Sequence, residues 1–152
     1  MKDADFLGDP QIKLASLEIW VHSREFPNEQ DYWDGNWLRV TARCSAPGAL
    51  VLASGPIVHL SEIDRWHTDL RQMKETLSGN AILACVEPNL SVALAASSLG
   101  RVKMEVKITP DHLTQQHSFT FEIDQSYLDP LLRQCRAMLE TYPIRGERPV
   151  VP

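Results

Sequence analysis

Two apolar stripes at helical spacing, with period-two runs before and between them, predict an α+β fold. The expected architecture is a mainly antiparallel sheet of six to seven strands with two helices, near residues 61–78 and 126–142. Short connections between the runs favour hairpins over crossovers, and hence antiparallel order. At 152 residues the chain has the length of one domain. A chain of this size buries roughly two-thirds of its unfolded surface, enough for a core without staples. Residues 1–11 and 144–152 are polar or rich in proline and are expected as extended or mobile tails.

The first strand is expected from Leu17, where Leu17, Ile19 and Val21 share one phase and His22 and Arg24 fall at the solvent end. An acidic, aromatic loop follows. Leu38, Val40, Ala42 and Cys44 then alternate against Trp37, Arg39, Thr41 and Arg43, giving a second strand with a basic outer face. Pro47-Gly48 is a turn into a third strand, Ala49 to Ala53, which Ser54-Gly55-Pro56 should break. Ile63, Trp66, Leu70, Met73 and Leu77 form the first helical stripe, with Ser61 and Asp64 as an approximate capping box and Gly79 as the stop.

Asn80 to Glu87 is nearly continuous in apolar residues and reads as a strand ended by Pro88-Asn89. Leu90, Val92, Leu94 and Ala96 make the next run. Val102, Met104, Val106 and Ile108 alternate cleanly against Arg101, Lys103, Glu105 and Lys107. Phe119, Phe121 and Ile123 form a last strand. Leu128, Leu131, Cys135, Met138, Leu139 and Tyr142 mark the second helix, with Ser126 as N-cap, Pro130 in the first turn and Pro143 and Gly146 as stops.

The net charge of −5 is unevenly placed. Residues 1–36 hold eight acids and three bases, while residues 37–152 hold twelve of each. That balance argues against a nucleic-acid partner, which requires a basic face. No apolar run approaches the roughly 20 residues of a membrane span, and the acidic start is unlike a signal peptide, so a cytoplasmic protein with no membrane partner is expected. Cys44, Cys85 and Cys135 are odd in number and widely spaced. They are read as small buried thiols in a reducing compartment.

The densest chemistry lies in Asp31-Tyr32-Trp33-Asp34-Gly35-Asn36-Trp37-Leu38. Between Glu25 and Trp37 there are four acids (Glu25, Glu29, Asp31 and Asp34) and no base, together with four of the eleven aromatics. Asp34-Gly35-Asn36 reads as a tight turn in which left-handed backbone is tolerated. The bland reading is a loop that tucks its own rings beneath it. The functional reading is a recognition surface made of Glu25, Glu29, Asp31, Tyr32, Trp33 and Asp34, since tyrosine and tryptophan concentrate at interface hot spots. The acid spacing misses the alternate-residue pattern of a calcium loop.

No metal site, cofactor or catalytic residue is expected. The five histidines make no HxH, HExxH or HxxxH pattern, and neither a GxSxG elbow nor a P-loop occurs. Asp64 and His67 are three apart on the first helix and are read as a surface ion pair. Asp31 and Asp34 have no nearby base to make an acid–base pair.

With the strand before it and the aromatic-Pro-x-x-Gly near the C-terminus, the Asp31–Leu38 run resembles the WapI-type immunity proteins of bacterial polymorphic toxin systems. The matching pieces are Leu17-Glu18-Ile19, Asp31 to Leu38, Asp124-Gln125-Ser126-Tyr127-Leu128 and Tyr142-Pro143-Ile144-Arg145-Gly146. The resemblance implies a small non-enzymatic cytoplasmic protein whose partner is a cognate toxin domain, and it supplies no catalytic residue. Acidic loops suit a basic toxin, such as a nuclease that binds phosphates. The alternative is a small-molecule or carbohydrate binder, or a hydrolase, that uses residues 25–37 as a stacking platform with polar contacts.

Overall fold

In the computed structural model, which describes residues 7–150, alternation decides most of the architecture. Strands β1 (Ile12–Leu14), β2 (Leu17–Arg24), β3 (Trp37–Ala46) and β4 (Ala49–His59) form one antiparallel sheet in sequence order. Strands β5 (Asn80–Ala84), β6 (Leu90–Ala96), β7 (Arg101–Ile108) and β8 (Ser118–Asp124) form a second, also antiparallel and in order. Helix α1 (Leu60–Thr76) joins the two sheets, and helix α2 (Leu128–Thr141) follows β8. The fold is α+β as expected, but its eight strands split into two four-stranded sheets instead of one sheet of six to seven. The split has a physical origin: α1 leaves β4 directly, and β5 packs against α1 instead of pairing with β4. β3 and β4 approach β7 and β8, so the inner phases of both sheets and both helices share one hydrophobic cluster.

Several local expectations are corrected. β1 was missed, and the segment before it is tied down. The Gly8 carbonyl accepts from Trp20 Nε1 at 2.9 Å, and Gln11 Oε1 accepts from the Val21 amide at 2.6 Å. Residues 1–6 and 151–152 of the expected tails lie outside the described residues. β4 does not break at Gly55-Pro56 but runs on to His59. Proline is tolerated because β4 is the sheet's edge, and the register shift between Leu38 and Arg39 absorbs the irregularity.

Helix α1 is capped two residues earlier than Ser61 and Asp64 suggested. His59 is the N-cap; its Nδ1 accepts from the Ser61 amide at 3.3 Å, and Glu62 accepts from the His59 amide at 2.8 Å. The helix ends at Thr76, with Leu77 itself left-handed (φ 52°) and 45% exposed, so Leu77 leaves the buried stripe. Asp124, not Ser126, caps the turn into α2 by accepting from the Ser126 amide at 2.8 Å. Asp64 and His67 form no ion pair among the described residues, and His67 Nε2 is buried without a partner.

The outer face of β3 is not a free basic surface. Glu25 accepts from Arg39 Nε and Nη2 at 2.8 and 2.9 Å, and Glu18 accepts from Arg43. The three cysteines are free thiols, with Cys44 and Cys135 buried and Cys85 half-buried. Burial pushes Cys44 up to about 11 and Cys135 up to about 12.

Candidate functional site

Arg24 is the first anchor of the site, and its position was misread from the sequence. A bulge between Val21 and Ser23 shifts the pleat by one residue, so Arg24 pairs with Leu38 on the inner phase and is 8% exposed. No carboxylate meets it among the described residues. Its guanidinium donates to the Gly35 carbonyl at 2.6 Å, to Asn36 Oδ1 at 3.3 Å and to the Pro143 carbonyl. It also lies over the Tyr142 ring. Burial, with Arg145 close by, lowers its pKa, although a guanidinium stays charged at neutral pH.

Asn36 sits at the centre and is fully buried. Its Nδ2 donates to the carbonyls of Tyr32 at 2.7 Å and Arg145 at 2.8 Å. Its Oδ1 accepts from the Arg145 amide at 2.8 Å and from Arg24. Both donors and both lone pairs of the amide are therefore used. Arg145 reaches back across the loop, donating from Nη1 to the carbonyls of Pro27 at 2.7 Å and Glu29 at 2.9 Å. Residues 143–146 are thus bound to the loop, although they lie in no helix or strand.

The two glycines follow from this close approach. A Cβ on Gly35 would stand 2.7 Å from the Glu29 carbonyl oxygen. A Cβ on Gly146, at φ +68°, would stand 2.7 Å from the Tyr32 nitrogen. Asp34–Asn36 is a 3₁₀ turn, so Gly35 answers to backbone proximity and not to the left-handed turn expected. The chain-distant motif pieces Asp31–Leu38 and Tyr142–Gly146 pack directly on one another.

His59 closes the other side. It is 2% exposed, and its Nε2 meets the Trp33 carbonyl at 3.0 Å. Because Nδ1 accepts from Ser61, Nε2 carries the proton and donates. The ring packs among Tyr32, Trp33 and Trp37, with centroids 5.5, 5.5 and 4.9 Å away. Glu62 bridges His59 to the turn after β5, accepting from the Val86 amide at 2.7 Å. Burial raises the Glu62 pKa, and these amide bonds oppose the shift.

The six residues singled out from the sequence divide by role. Glu25 is engaged by Arg39. Asp31 accepts from the Asp34 amide at 3.0 Å and so helps shape the turn. Tyr32 is half-buried and packs edge-on against Trp33, 5.1 Å away. Trp33, 48% exposed, and the side chains of Glu29 and Asp34 face solvent. Arg24, Asn36, His59 and Arg145 were missed as determinants of the site. The one sequence signal for Asn36 and Arg145 was their membership of the two motif pieces.

An open cleft of about 840 Å³ runs between this loop, the start of α1, β5 and the C-terminal segment. Trp33 from the loop, Trp37 at the start of β3, and Ile82 and Val86 from β5 and the turn after it are among its lining residues. Among the described residues no three His, Cys, Asp or Glu side chains converge as a metal site, and no helix is long and apolar enough to cross a membrane. Neither a curated protein nor a solved structure matches the chain. The family model for immunity proteins of the WapI-like kind matches residues 7–143, taking in the pinned loop, both sheets and both helices, and the chain belongs to that family.

Proposed function

We propose that this chain is a non-enzymatic immunity protein that binds a bacterial toxin domain in the cytoplasm and neutralises it. The observation that carries this reading is the pinned loop. The family's paired motif pieces hold Trp33, Glu29 and Asp34 outward on a backbone fixed by buried polar groups. A preordered aromatic and acidic surface loses little freedom on binding, and aromatic residues at its centre suit an interface hot spot. Its acids favour approach by a basic partner. Glu25 and Asp31 contribute by shaping the loop, and Tyr32 by backing Trp33.

The test starts from the neighbouring genes, one of which is expected to encode a toxin domain, and co-expresses that domain with this chain in bacteria. Growth should be rescued by the wild-type chain, and the purified pair should bind with an association rate that falls as salt rises. Absence of both rescue and binding refutes the reading. The cleft beside Trp33 favours a second reading, a small-molecule or carbohydrate binder. Saturable, enthalpic binding of a sugar that Trp33→Ala abolishes, with no protection against the toxin domain, would select it.

A further inference from the structure

Four large apolar side chains that the fold leaves in solvent line the same cleft. They are Trp33 (48% exposed), Ile82 (43%), Val86 (77%) and Ile144 (37%). They come from three separate segments: the loop, β5 with the turn after it, and the C-terminal segment. Scattered exposed apolar residues need no explanation, but convergence in one concavity does.

Each wall is also fixed by a buried or half-buried polar group. His59 holds the Trp33 carbonyl, Asn36 holds Tyr32 and Arg145, and Glu62 holds the Val86 amide. The rim is charged. Asp64 and Asp69 lie along α1, with Glu62 near its start, and the exposed Asp31 and Asp34 flank Trp33 in the loop sequence. Arg65 and Arg148 supply fewer charges of opposite sign. An apolar centre inside a polar, mainly acidic rim has the anatomy of a protein interface.

Resting on the immunity reading, we propose that this cleft receives an apolar anchor side chain of the toxin domain, with basic toxin residues beside it over the acidic rim. Trp33, Ile82 and Val86 form the contact centre. The loop acids steer the approach, and the cleft holds the complex.

The probe is the same toxin domain, purified as an inactive variant, with binding measured by surface plasmon resonance. Val86→Asp and Ile82→Asp, both at exposed positions, should weaken the Kd at least tenfold, mainly through faster dissociation. Asp64→Asn with Asp69→Asn should slow association and reduce its salt dependence. Leu113→Asp, 82% exposed and outside the cleft, serves as the control and should bind as the wild type does. Thermal unfolding of each variant separates lost folding from lost contact.

Wild-type affinity in both Val86→Asp and Ile82→Asp overturns the cleft while leaving the immunity reading standing. No binding by the wild-type chain overturns both. Self-association of the chain that Val86→Asp abolishes, with toxin binding unchanged, makes a second copy the occupant and also overturns the proposal.

Discussion

Replacing Asn36 by alanine is the sharpest test of how the motif holds the site. The change removes four hydrogen bonds, to the Tyr32 carbonyl, to the Arg145 carbonyl and amide, and to Arg24. A typical net value is about 1 kcal/mol per bond, and a buried group left unpaired costs more. The 3.3 Å bond to Arg24 counts least, and Arg24 keeps the Gly35 and Pro143 carbonyls. Tyr32 and Arg145 are only partly buried, so water restores some of the loss. The expected cost is therefore about 3 kcal/mol, which for a chain of this size lowers Tm by about 6–12 °C. Calorimetry and urea unfolding measure it, and hydrogen exchange should show faster opening at Gly35 and Arg145. The exposed neighbour Asp34→Ala should change stability by under about 0.5 kcal/mol. A fall in Tm below about 2 °C for Asn36→Ala would refute the claim that this amide joins the two motif pieces.

Three further outcomes are expected. Gly146→Ala should destabilise by about 2 kcal/mol or more, because alanine pays for the left-handed backbone and its Cβ meets the Tyr32 nitrogen; an unchanged urea midpoint would contradict the packing. Asp31→Asn with Asp34→Asn should alter stability by about 1 kcal/mol at most, since asparagine also caps turns, yet should slow association with a basic toxin domain and weaken its salt dependence. Stability should also fall as pH drops from about 7 toward 5. Burial, then Arg136 and Arg71, hold the His67 imidazole below its usual range, so the unfolded chain gains a proton near pH ~6.5 that the folded chain refuses. His67→Gln should flatten that slope, whereas Glu62, raised by burial, acts in the opposite sense as pH rises above its unfolded value.

The parts of the fold set by short-range periodicity were readable from the sequence. β7 needed nothing beyond its alternation, and both helices were placed by their apolar stripes. What escaped were effects of long-range geometry. Arg24 looked solvent-facing because a regular strand would have put it there, and a single bulge reverses its side. His59 and Glu62 displaced Ser61 and Asp64 as the cap because β4 continues through a proline that an inner strand would have refused. The partition into two sheets depends on α1 occupying the place beside β5, which no local pattern records. At the candidate site the exposed aromatics and acids were legible as residue types. Their supports, Asn36 and Arg145, lie 109 positions apart, a distance that only the paired motif pieces bridged.

That separation bears on how the protein is made. The contacts from Arg24 and Asn36 to residues 143 and 145 span more than a hundred positions, so both sheets can assemble on the ribosome before the loop's final partners have been synthesised. Contacts of such long sequence separation form late and slowly. A nascent or truncated chain lacking Pro143–Gly146 would carry the loop without its latch. The surface that the loop presents would then mature only after residues 143–146 have emerged, and the spacing of the two segments sets the interval between synthesis of the loop and its fixing in place.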